Sequence, residues 1–150
     1  MRVVPISKEE CVRLLNRISI GRLACALDNQ PYVVPVSFAY EAECLYVFST
    51  LGQKIEWMRQ NPKVCLQADE YGNRRNWTSV VVIGKYLELS EPQYSGEKER
   101  AKERLRQNSQ WWALPMAERR EQIVDLAVEP VFFRIDIETM SGLQGVPEAA

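Results

Sequence analysis

Apolar side chains near the start of the chain recur at the spacing of an α-helix. The residues that share one face of such a helix are Cys11, Leu14, Leu15 and Ile18. The preceding Ser7-Lys8-Glu9-Glu10 has the pattern of a capping box, in which Ser7 caps the helix and Glu10 reaches back. The pattern therefore predicts an amphipathic helix over about Lys8 to Asn16 that packs on a sheet.

From Ile20 onward the pattern changes to short apolar or alternating runs separated by turn-forming residues. These runs predict six strands, at residues 20–28, 32–40, 45–48, 63–68, 77–89 and 131–137. Several are joined by short turns such as Asp28-Asn29-Gln30-Pro31, so we expect antiparallel pairing. Short antiparallel strands that must hide their edges favour a closed or nearly closed barrel. The predicted fold class is mainly β, within α+β, with helices at the periphery.

Two residues inside the predicted strands indicate irregular backbone. Pro35 cannot donate a hydrogen bond to a neighbouring strand, so we expect it at a sheet edge or a bulge. A bulge would leave backbone groups free to meet a ligand. Gly84, inside the longest apolar run, predicts a kink at a barrel corner or a close approach of another segment.

The region between the last two predicted strands has helical character. Residues 97–107 predict a largely exposed helix, and residues 116–126 predict a second helical piece. Between them, Trp111 and Trp112 are interpreted as packing in a lid or a subunit interface. Arg74–Arg75 is interpreted as a solvated loop, with contact to a ligand or a neighbouring subunit as the alternative. The small residues from Ser141 to Ala150 predict a frayed tail, from residue 142 at the latest.

Composition narrows the class of protein. A chain of 150 residues predicts one domain, residues 1–150. The net charge of −1 gives no basic field to attract nucleic acid or a membrane surface. The N-terminus lacks the apolar run of a secretory signal, and no run approaches the length of a membrane helix.

The four cysteines and the absence of histidine limit the chemistry further. Cys11, Cys25, Cys44 and Cys65 have no Cys-x-x-Cys spacing, so we interpret them as free thiols, mostly buried, in a cytoplasmic protein. Without histidine there is no histidine general base and no histidine ligand for haem, and we expect no metal site. Redox chemistry in such a chain would most easily come from an organic cofactor.

The stretch from Leu45 to Pro62 carries the most specific chemical signal. It reads as a strand, a turn on Ser49, Thr50 and Gly52, and a short helix that Pro62 ends. Unpaired N–H groups and the dipole at a helix start favour an anion, and Lys54 adds a cation one turn in. This arrangement suits a phosphate. The alternative is that Ser49 and Thr50 only cap a surface helix and that Lys54 is solvated.

Five segments in this order resemble the pyridoxamine 5′-phosphate oxidase-like superfamily of FMN-binding split barrels, in its nitroimidazole-resistance branch. The segments are Gly21-Arg-Leu-Ala, Pro31-Tyr-Val-Val-Pro-Val-Ser-Phe, Phe48-Ser-Thr-Leu-Gly-Gln-Lys with Asn61-Pro62, Ser79-Val-Val-Val-Ile-Gly-Lys, and Phe133-Arg-Ile-Asp-Ile. The resemblance implies a six-stranded antiparallel split β-barrel that forms a homodimer with FMN at the interface.

The resemblance also implies which residues hold the cofactor. The backbone of Val33, Val34, Pro35, Val36 and Ser37 would border the isoalloxazine ring. Phe48 and Ser49 would lie under the ribityl chain and phosphate, and Thr50 would join Ser49 in binding the phosphate. Gln53 and Lys54 would bind the phosphate, and Ser79 would reach the flavin from a following strand.

Departures from the family pattern leave the reaction open. Gln53 stands where vitamin-B6 enzymes commonly have arginine, and Phe48 stands where many nitroimidazole-resistance members have histidine. The C-terminal segment of true pyridoxamine phosphate oxidases is not visible after Ile137. The leading hypothesis is an FMN-dependent oxidoreductase acting on a small electron-poor molecule, with no catalytic residue assigned. The alternatives are a flavin carrier or sensor without turnover and, third, a haem-binding relative.

Overall fold

A computed structural model describes residues 1–73, 76–107 and 130–148. The predicted strands and the first helices form near their expected places. In chain order the elements are β1 (Arg2–Pro5), α1 (Lys8–Arg17), β2 (Ile20–Leu27), β3 (Gln30–Glu41), β4 (Cys44–Thr50), α2 (Gln53–Gln60), β5 (Lys63–Asn73), β6 (Asn76–Glu88), α3 (Ser95–Arg106) and β7 (Pro130–Val146). No helix within these described ranges has the length and apolar character to span a bilayer.

The strands close into a ring. The sheet order is β1-β7-β4-β3-β2-β5-β6, and an additional pairing of β6 with β7 joins its ends. All the pairings are antiparallel. Strands β2 to β7 therefore form the predicted six-stranded barrel, and β1, which the hydrophobic pattern did not reveal, is an extra strand beside the end of β7.

Two-residue turns explain why β2, β3 and β4 follow one another as hairpins. Asp28 and Asn29 join β2 to β3 with φ of 48° and 67°, and Ala42 and Glu43 join β3 to β4 with φ of 45° and 66°. Two successive residues in the left-handed region match the twist of antiparallel strands. Asp and Asn adopt this region readily, whereas Ala42 and Glu43 do so under the constraint of strand pairing.

The inner face of the barrel holds the main core, and α1 covers one side of it. Cys11, Leu14 and Leu15 of α1 are buried, as their spacing predicts. The Ser7 hydroxyl accepts a hydrogen bond from the Glu10 N–H at 3.2 Å and so caps the helix. A second cluster joins α3 to the barrel through Tyr46, Phe48, Leu89, Ala101, Leu105 and Phe132.

The prediction of a frayed C-terminal tail is wrong as far as Val146. Residues 143–146 of β7 pair with β1, and residues 139–145 pair with β6. The small residues that suggested a tail are instead needed for close packing. A Cβ on Gly142 would lie 2.7 Å from Ile6, and a Cβ on Gly145 would collide with the Trp77 indole.

The two irregular positions have clear structural reasons. The pairing between β6 and β7 shifts register between Ile83 and Gly84, and a Cβ on Gly84 would collide with the Asp136 carbonyl oxygen. This confirms the close approach predicted for Gly84. Pro35 pairs with Arg22 in unbroken register on one side only, so it occupies a strand edge rather than a bulge.

Several sequence-based interpretations fall outside the described residues. These are the interpretations of Arg74 and Arg75, of Trp111 and Trp112, and of a helix at residues 116–126.

Candidate functional site

Most of the predicted site residues lie on or directly beyond the two strands that border an opening between β3 and β4. The two strands pair only between Phe38–Glu41 and Cys44–Val47. Beyond Phe38, residues 30–37 of β3 pair with β2 alone. Beyond Val47, residues 48–50 of β4 pair with β7. The barrel is therefore split where residues 33–37 and 48–50 separate.

The β3 side of the opening changes from exposed to buried along its length. Val33 is 61% exposed, whereas Val36 and Ser37 are buried. Within the described residues, the buried Ser37 hydroxyl has no hydrogen-bond partner. A buried polar group without a partner is destabilising by about 1–3 kcal/mol. Such a group in a folded protein calls for an explanation, and a partner supplied by a bound molecule is one.

On the β4 side of the opening, Ser49 and Thr50 do not form the predicted turn. Ser49 and Thr50 are buried and are the last residues of β4, where they pair with Val131 and Pro130. The Ser49 hydroxyl donates to the Thr50 carbonyl oxygen at 3.2 Å. The prediction that they form the turn, and the alternative that they cap the helix, are both wrong because pairing with β7 extends β4. Phe48 packs on Phe132 with ring centroids 5.2 Å apart.

Helix α2 begins directly beyond the opening, and Lys54 lies in its first turn. The N-cap is Gly52, which has no side chain to satisfy the first N–H groups. Gln53 is exposed, but Lys54 is only 6% exposed, which excludes the solvated interpretation. Lys54 also lies near Cys25, a residue that the sequence did not single out. Burial raises the pKa of the Cys25 thiol, and the Lys54 charge opposes that rise.

Ser79 is not brought to the opening. It lies on β6, and β2 and β5 separate β6 from β3. Its hydroxyl accepts a hydrogen bond from Gln67 Nε2 at 3.0 Å, and the same nitrogen donates to Asp69 Oδ2 at 2.9 Å. Arg22 in turn donates to Asp69 Oδ1 at 3.2 Å. The sequence did not reveal this chain of Gln67, Asp69 and Arg22, because only strand register brings the three residues together near Ser79.

The outer face of the sheet carries Ser79 and several exposed apolar side chains. Directly paired residues point to the same side of a sheet, and the pairs Val33–Ala24, Ala24–Cys65 and Cys65–Ile83 form one row. The same alternation places Ile20 and Leu143 on this face. Val33, Ile83, Leu143 and Ile20 are 61%, 51%, 49% and 40% exposed. The described residues contain no group of three or more histidine, cysteine, aspartate or glutamate residues that could hold a metal ion.

Comparison with known proteins agrees with this architecture. The chain is 40% identical over 143 residues to an uncharacterized protein of Rhizobium meliloti (strain 1021), covering 95% of each. It is 41% identical to a FAD-binding protein of Mesorhizobium loti, whose crystal structure matches with a TM-score of 0.77 and coverage of 98% of this chain and 99% of that one. A protein assigned to 5-nitroimidazole antibiotic resistance in Bacteroides thetaiotaomicron has a TM-score of 0.67 at 19% identity, with coverage of 95% and 87%. At this low sequence identity, the similarity to the Bacteroides thetaiotaomicron protein shows a common fold only.

The predicted resemblance to the split-barrel superfamily is thereby confirmed. The model of the pyridoxamine 5′-phosphate oxidase family matches residues 7–144, nearly the whole chain. This protein belongs to the pyridoxamine 5′-phosphate oxidase family.

Proposed function

We propose that this protein binds a flavin nucleotide, through its FMN moiety, at the opening between β3 and β4. The observation that carries the proposal is the burial of Lys54 in the first turn of α2, beside the end of β4. A buried ammonium group beside the N–H groups of a helix start suits a phosphate, because both favour the same anion. The FAD-binding relative from Mesorhizobium loti supports the same class of ligand.

The described residues fit the parts of such a ligand. Lys54 would bind the phosphate by its charge, and Gln53 would add a neutral donor. Ser49 and Thr50 would line the path to it from the end of β4, with Phe48. The one-sided strand edge from Val33 to Ser37, with the unpartnered Ser37 hydroxyl, would border the ring. With Gln53 in place of a cation, the phosphate would rely on Lys54 for its side-chain charge.

The second candidate ligand is FAD, which contains the same FMN moiety. The sequence resemblance favours FMN, whereas the relative that is 41% identical is described as FAD-binding. The proposed contacts serve either nucleotide, because they involve only the shared part. Direct titration with both therefore decides between them.

The proposed activity is a flavin-dependent oxidoreductase acting on a small electron-poor molecule. A bound flavin supplies the redox chemistry. The residues at the opening would bind and orient the ring and exclude water from one side. We assign no acid, base or nucleophile among them. The alternative, a flavin carrier or sensor without turnover, uses the same contacts.

We propose a homodimer with the flavin at its interface, which the exposed apolar residues of the outer face support. Contiguous exposed apolar surface of this kind marks interaction sites. Val33 belongs both to this face and to the border of the opening, so a second copy on this face would cover the ligand. We also propose that the protein works in the cytoplasm. Its four cysteines are free thiols, as is usual in that reducing compartment: Cys11, Cys25, Cys44 and Cys65.

The first experiment is a binding titration. Purified protein is mixed with FMN or FAD, and retention is followed by flavin absorbance and fluorescence after gel filtration. We expect one of the two to be retained, with weaker retention by Ser49→Ala. If neither flavin is retained at saturating concentration, the proposal is wrong.

Turnover is then tested by reducing the bound flavin. Reoxidation by electron-poor acceptors faster than by oxygen alone indicates an enzyme, and equal rates indicate a carrier or sensor.

A further inference from the structure

Helix α2 is tied to the barrel by directional contacts at its C-terminal end. Arg59, in the last turn, donates to both carboxylate oxygens of Glu88 on β6, at 2.8 and 3.1 Å. Directly after the helix, the Asn61 side chain donates to the Ala26 carbonyl oxygen on β2 at 2.9 Å. These hydrogen bonds hold the end of the helix against two strands of the barrel.

The N-terminal end of α2 carries the proposed phosphate site. Its cap residue, Gly52, has no side chain, and Lys54 lies in the first turn. Between the two ends, Ile55 and Met58 are fully buried in the core. Apolar packing of this kind holds the helix on the barrel but is not directional. The hydrogen bonds at the C-terminal end are directional, so they set the angle of the helix axis.

The carboxylate that Arg59 binds is itself oriented by Tyr86. The Tyr86 hydroxyl donates to Glu88 Oε1 at 2.6 Å, and the same oxygen accepts from Arg59 Nε. Tyr86 is only 8% exposed, and its ring packs on Phe133 with centroids 4.8 Å apart. Core packing therefore fixes the ring, and the hydroxyl fixes one oxygen of Glu88. The planar guanidinium group of Arg59 binds both oxygens at once, so it depends on this orientation.

We propose that Tyr86 is a positioning residue for the ligand phosphate, acting through Glu88 and Arg59. By fixing the C-terminal end of α2, these residues set the position of the first N–H groups and of Lys54 at its other end. This inference rests on the proposed binding of a flavin phosphate there. At about 1.5 Å per residue, Arg59 lies roughly 8 Å along the helix axis from Lys54. Tyr86 therefore acts on the ligand through the helix and not by contact.

The expected consequence is a loss of affinity confined to ligands that carry the phosphate. Riboflavin has the ring and the ribityl chain of FMN but no phosphate, so it does not use the N-terminal end of α2. Tyr86→Phe removes the hydroxyl and keeps the ring in the core. We expect it to weaken FMN binding about fivefold, as substitutions that act through packed elements do, and to leave riboflavin binding unchanged.

The test is a fluorescence titration of wild type and Tyr86→Phe with FMN and with riboflavin. FAD replaces FMN in this comparison if FAD is the flavin that the protein retains. Arg59→Lys keeps the positive charge but cannot bind both oxygens of Glu88 as a fork, so it should reproduce the effect of Tyr86→Phe. Tyr46→Phe is the matched control, because the buried Tyr46 hydroxyl donates to Glu97 on α3 at 3.2 Å and not to a group that holds α2. It should change neither affinity.

The outcomes separate this inference from the proposed function. Wild-type protein that binds neither FMN nor FAD overturns both. Wild-type protein that binds FMN no more tightly than riboflavin overturns the phosphate site and the positioning role together, and leaves flavin binding in place. Equal losses of FMN and riboflavin affinity in Tyr86→Phe, or no loss of either, overturn only the positioning role. Thermal unfolding checks that each variant is folded, and Arg59→Lys carries the test if Tyr86→Phe is not.

Discussion

At the scale of single residues, Lys54 is the most informative side chain. It is 6% exposed and lies in the first turn of the helix that follows β4. A charged hydrogen bond contributes about 1.5–3 kcal/mol, and each 1.4 kcal/mol is about tenfold in affinity. We therefore expect Lys54→Met to weaken flavin binding by roughly 10- to 100-fold, measured by fluorescence titration. The matched control is Lys63→Met, at an exposed position. Equal affinities of the Lys54 variant and wild type would contradict the phosphate-binding role.

A substitution at Gly84, again a single residue, tests how closely β6 packs against β7. A Cβ at this position would collide with the Asp136 carbonyl and lie 2.9 Å from the Ile135 side chain. We expect Gly84→Ala to lower the free energy of unfolding by about 1–3 kcal/mol, as overpacking does. In contrast, a Cβ on Gly96 in α3 meets nothing within 4 Å, so Gly96→Ala should stabilise the protein by up to about 1 kcal/mol. Urea unfolding measures both, and similar effects of the two substitutions would refute the close approach.

At the scale of elements, an ion pair ties α2 to β6. Arg59 Nε and one terminal nitrogen donate to the two carboxylate oxygens of Glu88, at 2.8 and 3.1 Å. The hydrogen bond from Arg59 lowers the pKa of Glu88 below its ordinary value of 4.5, against the opposing effect of burial. Because the pKa is lowered in the folded state, the pair stabilises the protein above about pH 4.5. That stabilisation is lost as the pH falls through the lowered pKa.

The expected outcome for Glu88→Gln is therefore a pH-dependent loss of stability. At pH 7 the variant should be less stable by at most about 1 kcal/mol, since both side chains are partly exposed. Below pH 4.5 its melting temperature should approach that of wild type. Glu138→Gln, at an exposed position, is the control and should show no such convergence. A difference that stays constant from pH 7 to pH 3 would argue against the pair.

At the scale of the whole molecule, the outer face predicts a dimer. Ile83 is 51% exposed and lies on β6, three strands from β3 around one side of the ring. On the other side it pairs with Thr139, which is at least seven residues along β7 from the partners of residues 48–50, so it cannot touch a ligand held at the opening by its own chain. We expect Ile83→Asp to shift the protein to monomers in sedimentation velocity and to weaken flavin retention with it. Glu103→Lys, an exposed charge change on α3, should do neither. A monomeric wild-type protein that still retains flavin would contradict the interface.

The sequence predicted more of the fold than of the site. The capping box at Ser7, the turn at Asp28 and Asn29, and the close approach at Gly84 all depend on nearby residues or on backbone sterics. The end of β4 was misplaced because its last residues pair with β7, about 80 positions later in the chain. The extension of β7 was missed for a similar reason, since β1 stands at the opposite end of the chain.

The sequence by itself determined the periodic helices, the hairpins and the order of motifs that identifies the family. These are local signals, because a helix face, a cap or a two-residue turn involves neighbours along the chain. Only the tertiary structure decided where β3 and β4 separate and that Lys54 is buried. It also decided that Gln67 stands beside Ser79. Register and burial depend on contacts between residues far apart in sequence, so the opening that makes the candidate site exists only once the barrel has closed.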